Sequence, residues 1–135
     1  MLLVKTRIGP SAIQGIGVFA AEFIPKGTVI WRFQPGFDVL ITPEIEAQLS
    51  RSALEQVRKY AYIDVDTGEK ILCSDDSRFF NHSDLPNAGI DPDRPDREID
   101  VALRDIVANE ELTCDYRTFD ADSARELDFS QEAAQ

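Results

Sequence analysis

Arg78-Phe79-Phe80-Asn81-His82-Ser83-Asp84-Leu85-Pro86-Asn87 is the stretch on which the reading of this 135-residue chain turns. It holds the only histidine, set among two aromatics, two asparagines and a serine. The order fits neither a helical period nor a strict alternation. Asparagine and serine side chains bond readily to turn backbone, so part of the segment reads as structural. The histidine by itself reads two ways, as a satisfied structural residue or as a functional one.

Two further stretches carry chemistry. Gly15-Ile16-Gly17-Val18-Phe19 has two glycines one residue apart, which lets backbone approach a ligand without a Cβ in the way. It lacks the third glycine of a dinucleotide fingerprint and the lysine of a phosphate loop, so alone it is a turn signal. Glu110-Glu111-Leu112-Thr113-Cys114-Asp115-Tyr116 brings a phenol beside a carboxylate at a strand end. A core tyrosine with its hydroxyl at the surface gives the same pattern.

Working outward, the chain reads as short strands around one helix. Strands are expected at Leu2–Arg7, Ile16–Ala20, Thr28–Phe33, Glu98–Leu103 and Glu111–Thr113, with Gly9-Pro10-Ser11 breaking the first. Thr42 caps a helix that opens on Pro43 and runs to Tyr60, burying Ile45, Leu49, Ala53 and Val57 at four-residue intervals. Tyr62–Val65 and Lys70–Cys73 flank Asp66-Thr67-Gly68-Glu69 as a hairpin. Asp75 to Gly89 reads as irregular, and Asp91 to Arg97 as a polar loop. Phe23–Ile30 echoes Asp105–Leu112: Ile24 matches Ile106, Gly27 matches Asn109 and Ile30 matches Leu112. Glycine and asparagine both tolerate the left-handed corner, so two similar strand-turn-strand corners are expected. Asp122 or Ser123 caps a last short helix through Leu127, and the end frays.

Composition narrows the class. At 43% hydrophobic and 29% charged the chain is globular and of one-domain size. No apolar run approaches the roughly 20 residues of a membrane span. Met1-Leu2-Leu3-Val4 lacks the marks of a signal peptide, so the expected location is the cytoplasm, with no membrane partner. Cys73, Cys114 and His82 are too few for a four-ligand zinc site of the usual kind, and proline-broken Asp91-Pro92-Asp93 argues against calcium; no metal is expected. The net charge of −11 disfavours direct nucleic-acid binding and suits a basic partner.

Taken together and in order, the three stretches resemble the SET domain family. Arg78-Phe79-Phe80-Asn81-His82-Ser83-x-x-Pro86-Asn87 is similar to its Arg-Phe-x-Asn-His-Ser-Cys-x-Pro-Asn motif. Glu111-Leu112-Thr113-x-Asp115-Tyr116 is similar to its Glu-Leu-Thr-x-Asp-Tyr motif, and Gly15-Ile16-Gly17 to its cofactor loop. The resemblance runs from Leu2 to Phe119 and implies a mainly β, β-clip type fold with one principal helix. It implies several small sheets and a C-terminal pseudoknot in which the Asn-His and tyrosine segments pack together. Residues 1–119 are then a minimal, stand-alone SET domain and 120–135 a short tail.

The function implied is protein-lysine N-methylation with S-adenosylmethionine, on a basic protein or peptide carrying the target lysine. By position, Gly15, Ile16 and Gly17 line the methionine end of the cofactor. Asn81 and His82 hold the adenosine part, Arg78 and Phe79 flank it, and Tyr116 is the catalytic tyrosine beside the transferred methyl. Three positions depart from the family pattern. Asp84 stands for the usual cysteine, Asn109 for a turn glycine, and Cys114 for a phenylalanine or tyrosine linked to methylation degree. Cys114 predicts a roomier lysine pocket. No cysteine-rich zinc segment follows Tyr116, so something else closes the channel: Phe119, or a second subunit in a homodimer. Tyr60 and Tyr62 are further candidates for its walls, with core packing as their plainer role. Two rival readings stand beside this one, a catalytically inactive SET fold that binds a peptide or the cofactor, and a methyltransferase for a residue other than lysine.

Overall fold

The computed structural model describes residues 1–124 and Leu127, and among these the alternating stretches fold as ten short strands. In chain order the elements are β1 Thr6–Pro10, β2 Ile16–Ala20, β3 Val29–Arg32, β4 Val39–Leu40, α1 Pro43–Glu46 and α2 Arg51–Tyr60. They continue as β5 Tyr62–Ile63, β6 Lys70–Leu72, β7 Asn81–His82, β8 Ala88–Gly89, β9 Ile99–Ala102 and β10 Glu111–Cys114. Three small sheets result, ordered β1-β2-β10-β7, β3-β9-β8 and β4-β6-β5. The main core lies between the first two. Val18, Ala20, Leu112 and Cys114 come from one sheet; Ile30, Ala88 and Ala102 come from the other.

The internal echo is a structural one. Ile24 and Ile106 bridge antiparallel, each N–H donating to the other's carbonyl at 2.8 and 2.9 Å. Gly27 N–H then donates to Ala102 O, the end of β9, and Asn109 N–H to Ala20 O, the end of β2. Each corner therefore closes on the strand that leads into the other. Both turns need a positive φ, 84° at Gly27 and 71° at Asn109, as the pairing of glycine with asparagine predicts. Ile24 and Ile106 are both fully buried at the crossing.

Three local expectations are corrected. The first strand is Thr6–Pro10, not Leu2–Arg7; Leu2 instead bridges Trp31, and Leu3 N–H donates to Ile30 O. Gly9-Pro10 lies inside β1, because β1 is an edge strand and Pro10 is its last residue, where a missing N–H breaks no ladder. The helix expected from Thr42 to Tyr60 is two helices. Thr42 caps the first as expected, but Ser50 turns extended and caps the second by accepting from Ala53 N–H at 3.2 Å. Ile45 consequently stays exposed. Leu49, outside both helices, packs with Val57, Ile41, Ala61 and Leu72 in a small second cluster.

The hairpin forms as expected, with Tyr62 opposite Ile71 and Ile63 opposite Lys70. Asp75 to Gly89 is more ordered than its sequence suggests. A 3₁₀ turn over Asp76–Phe79 precedes β7 and β8. Ser123, Ala124 and Leu127 are helical, where the short tail helix is expected. Residues 125, 126 and 128–135, where the rest of that expected helix and the expected fraying fall, lie outside the described residues.

Candidate active site

The pairing of β7 with β10 builds the site. They run parallel, Thr113 beside Asn81 and Cys114 beside His82. β10 also pairs antiparallel with β2, whose first two residues, Ile16 and Gly17, belong to the glycine loop. Three stretches far apart in sequence thus lie side by side. Both asparagines of the histidine segment are tethers. Asn81 Nδ2 donates to Gln14 O at 3.1 Å and Ile16 O at 3.2 Å, pinning the glycine loop to β7. Asn87 is 2% exposed and substitutes for a missing strand: its Oδ1 accepts from Thr113 N–H and its Nδ2 donates to Glu111 O.

The two glycines of the loop serve different ends. Gly15 turns with φ +49°, and the place of its missing Cβ is open space. Ile16 beside it is 48% exposed. At Gly17 a Cβ would run into the Glu111 carboxylate, with Cδ only 2.8 Å away. Close approach at Gly17 is therefore to a side chain of β10, and only Gly15 and Ile16 face open space.

His82 is held from both ring nitrogens. Nδ1 accepts from Tyr116 N–H at 3.2 Å, which assigns the neutral ring's proton to Nε2, 3.2 Å from Asp84 Oδ1. Asp84, at the position where the motif has cysteine, also accepts from Arg117 at 2.9 Å. Arg117 forks onto Asp115 at 2.8 and 2.9 Å, and this bond holds the Asp115 carboxyl below the usual carboxylate range. The His82 ring packs on the Tyr116 ring with centroids 5.4 Å apart.

Tyr116 faces two ways. Its hydroxyl donates to Phe80 O at 2.5 Å, and its ring also walls a cavity of about 110 Å³. Tyr60, Tyr62, Phe119, Cys114 and Arg78 line the same cavity. Phe119 stacks edge-on against Tyr62 at 5.2 Å and Tyr116 at 5.9 Å, forming an aromatic collar. Arg78 donates twice to Cys73 O and lies over the Tyr60 ring. Phe79 meets Tyr60 edge-on at 5.6 Å and packs against the core, away from the cavity lining. The glycine loop, Asn81 and His82 lie outside the lining; Tyr116 connects them to it.

Burial shapes the cavity's chemistry. It pushes the Tyr62 phenol well up, and the neighbouring Cys73 and Asp100 add to the effect. It pushes the Cys73 thiol to about 11 and the Asp100 carboxyl to about 6. Asp100 was not marked by sequence reasoning; the signal was its place two residues before Ala102 on an alternating strand, an acid on a face with a buried residue. Asp120 was missed as well. It is 2% exposed, and its Oδ1 accepts from Ile63 N–H at 3.1 Å. With Phe119 O accepting from Val65 N–H, and Ala121 N–H donating to Ile63 O, it clamps the segment after Tyr116 onto β5. This clamp holds Phe119 over the cavity.

A mainly β chain of several small sheets, with the asparagine-histidine and tyrosine segments paired beside a glycine loop, belongs to the SET domain family; that family matches residues 15–117. The chain is 31% identical over 127 residues to a Chaetomium globosum protein named histone-lysine N-methyltransferase, H3 lysine-4 specific. That match covers 82% of this chain but 11% of the relative. A crystal structure of a candidate histone methyltransferase from Plasmodium falciparum superposes with TM-score 0.55 at 26% identity, covering 85% of this chain and 95% of that one. Chaetomium thermophilum Polycomb Repressive Complex 2, in an autoinhibited conformation bound to S-adenosylmethionine, shares the fold with TM-score 0.63 at 22% identity. It covers 96% of this chain and 17% of that one.

Proposed function

We propose that this protein is an S-adenosylmethionine-dependent protein-lysine methyltransferase acting on a basic protein. The observation that carries the reading is Tyr116, one ring that walls the aromatic cavity and packs on His82 at 5.4 Å. The residues present fit the cofactor. Gly15 leaves open space where a Cβ would sit, Ile16 is exposed beside it, and Asn81 bonds the carbonyls on either side of the glycine, those of Gln14 and Ile16. When bound, S-adenosylmethionine supplies a methyl group on a positively charged sulfur.

The rest falls to the protein's own side chains. A free lysine has a pKa near 10.4, so about one amine in a few thousand is uncharged at pH 7. Burial among Tyr62, Phe119 and Tyr116 disfavours the ammonium and raises that fraction. The Tyr116 hydroxyl, fixed by Phe80 O, orients the amine. Alignment of this kind is worth several kcal/mol. Cys114, small and buried, leaves room in the cavity for an amine that already carries a methyl. The net charge of −11 attracts a lysine-rich substrate over the distance salt permits.

The test is calorimetric binding of S-adenosylmethionine and its demethylated product to the wild type, His82→Ala and Tyr116→Phe. Mass spectrometry of a lysine-rich peptide array follows. Binding by the wild type and by Tyr116→Phe, with transfer to lysine by the wild type and much slower transfer by Tyr116→Phe, is expected. Failure of both nucleosides to bind, even with basic peptide present, overturns the reading.

A further inference from the structure

Asp100 lies on β9 opposite Trp31 of β3, and both line the cavity walled by Tyr62, Phe119 and Tyr116. Among the described residues no hydrogen bond or ion pair satisfies the Asp100 carboxylate. Trp31 is 6% exposed, and its indole N–H is buried with no partner among them either. The indole is a buried donor left unpaired, and the partly accessible Asp100 carboxylate across from it makes no bond, so the two together mark an unfinished floor.

The cations near the cavity do not fill it: the Met1 ammonium, whose charge pulls the Asp100 carboxyl down, is bonded to Arg32 O and Asp38. Arg78 is engaged by Cys73 O, and Arg97 pairs with Asp66 and donates to Thr118 O. Lys59 sits exposed at the rim over the Tyr60 ring. The other acid in the lining, Asp64, is occupied by the N–H groups of its own turn. Asp100 is the acid left to act inside.

We infer that Asp100 is the substrate-anchoring residue of this cavity, accepting the terminal ammonium of an alkyl side chain threaded between the aromatic rings. The inference rests on the proposed lysine methylation and names what selects the amine. Three properties of the site converge on such a ligand. Aromatic rings accept methylenes and favour a cation over their faces. A carboxylate accepts from an ammonium, so one cation supplies the partner that Asp100 lacks. A neutral group leaves the charge unpaired, and an anion is repelled. The carboxylate favours the charged amine and burial disfavours it, so Asp100 holds the ammonium as it enters and the uncharged form is reached on release from Asp100 toward Tyr116.

Trp31 is the only tryptophan and reports on the floor directly. The experiment titrates the full chain with n-butylammonium chloride, and with n-butanol as the neutral match, following the indole N–H resonance. Saturable shifts with the ammonium alone, weakened tenfold or more in Asp100→Asn, are expected. Equal shifts with butanol, or an undiminished response in Asp100→Asn, overturn the inference. Thermal melts of Asp100→Asn and Asp100→Leu establish that each variant is folded. S-adenosylmethionine carries an ammonium of its own, so its affinity is measured on the same variants and is expected to be unchanged. A tenfold loss there assigns Asp100 to the cofactor and overturns the substrate role. If the wild type binds no S-adenosylmethionine, the methyltransferase reading fails, while the butylammonium result still decides the role of Asp100. In peptide methylation, Asp100→Asn is expected to raise KM more than it lowers kcat.

Discussion

Asp100→Asn removes a carboxyl whose burial moves it from 3.8 to about 6, and the folded protein is expected to become more stable at neutral pH. A raised carboxyl is protonated in both states below about pH 4, where it costs nothing. Between about pH 4 and 6 the unfolded chain gives up the proton more readily than the fold. Stability is therefore lost as pH rises through that window and stays lost above it. A shift of about two units corresponds to about 3 kcal/mol. Asp100 is partly exposed, so solvent screening makes that figure a ceiling. For a chain of this size it corresponds to a rise in Tm of roughly 10 °C at most. Urea unfolding of wild type and variant from pH 4 to pH 8 measures it, and the difference between the two curves isolates this one group. A difference that does not grow with pH, or a variant less stable than wild type at pH 7.5, refutes the reasoning. The gain is expected to come with lost substrate affinity, since the group that destabilises the fold is the one assigned to the ligand.

Four further outcomes are expected. Asn109→Ala places a Cβ-bearing residue with no compensating side-chain bond at φ 71°, costing about 1 kcal/mol by urea unfolding, while Asn109→Gly is neutral or stabilising. Asp120→Ala strips Ile63 N–H of its acceptor and loosens the clamp over the cavity. A loss of about 1–3 kcal/mol is expected, with a raised peptide KM in initial-rate assays. Cys114→Phe fills the cavity beside Tyr116, and mass spectra at long incubation are expected to show product held at one methyl where the wild type goes further. Tyr116→Phe loses the bond to Phe80 O and is expected to lower kcat on the order of 100-fold while cofactor affinity, by calorimetry, changes little.

Much of the fold could be read from residues because its signals are local. The Gly27 and Asn109 corners, the hairpin turn at Gly68 and the Thr42 cap each announce themselves in a few neighbouring positions. The helix break did not, because Leu49 keeps the four-residue apolar period from outside both helices while Ser50 interrupts the backbone. Pro10 misled in the opposite direction, since whether proline ends a strand depends on which strand lies beside it. In the site, Gly15, Asn81, His82 and Tyr116 were marked by motif. Which glycine faces open space depends on where the Glu111 side chain falls, and that is a tertiary fact. Asp100 and Asp120 draw their importance from burial, to which a charged letter in a polar-looking stretch gives little clue.

The crossing of Ile24 with Ile106 also constrains how the molecule comes to exist. The first corner leaves the ribosome early and cannot close on its mate until roughly eighty more residues are made, on the order of ten seconds of synthesis. Until then β2 has no β10 beside it, and Val18, Ala20 and Ile24 are unsheltered apolar surface on a nascent chain. Bringing the ends of so long a loop together must precede any reward from contact, which slows folding relative to a helical domain of equal size. The candidate active site, built where the late segment meets the early one, is consequently among the last parts to form.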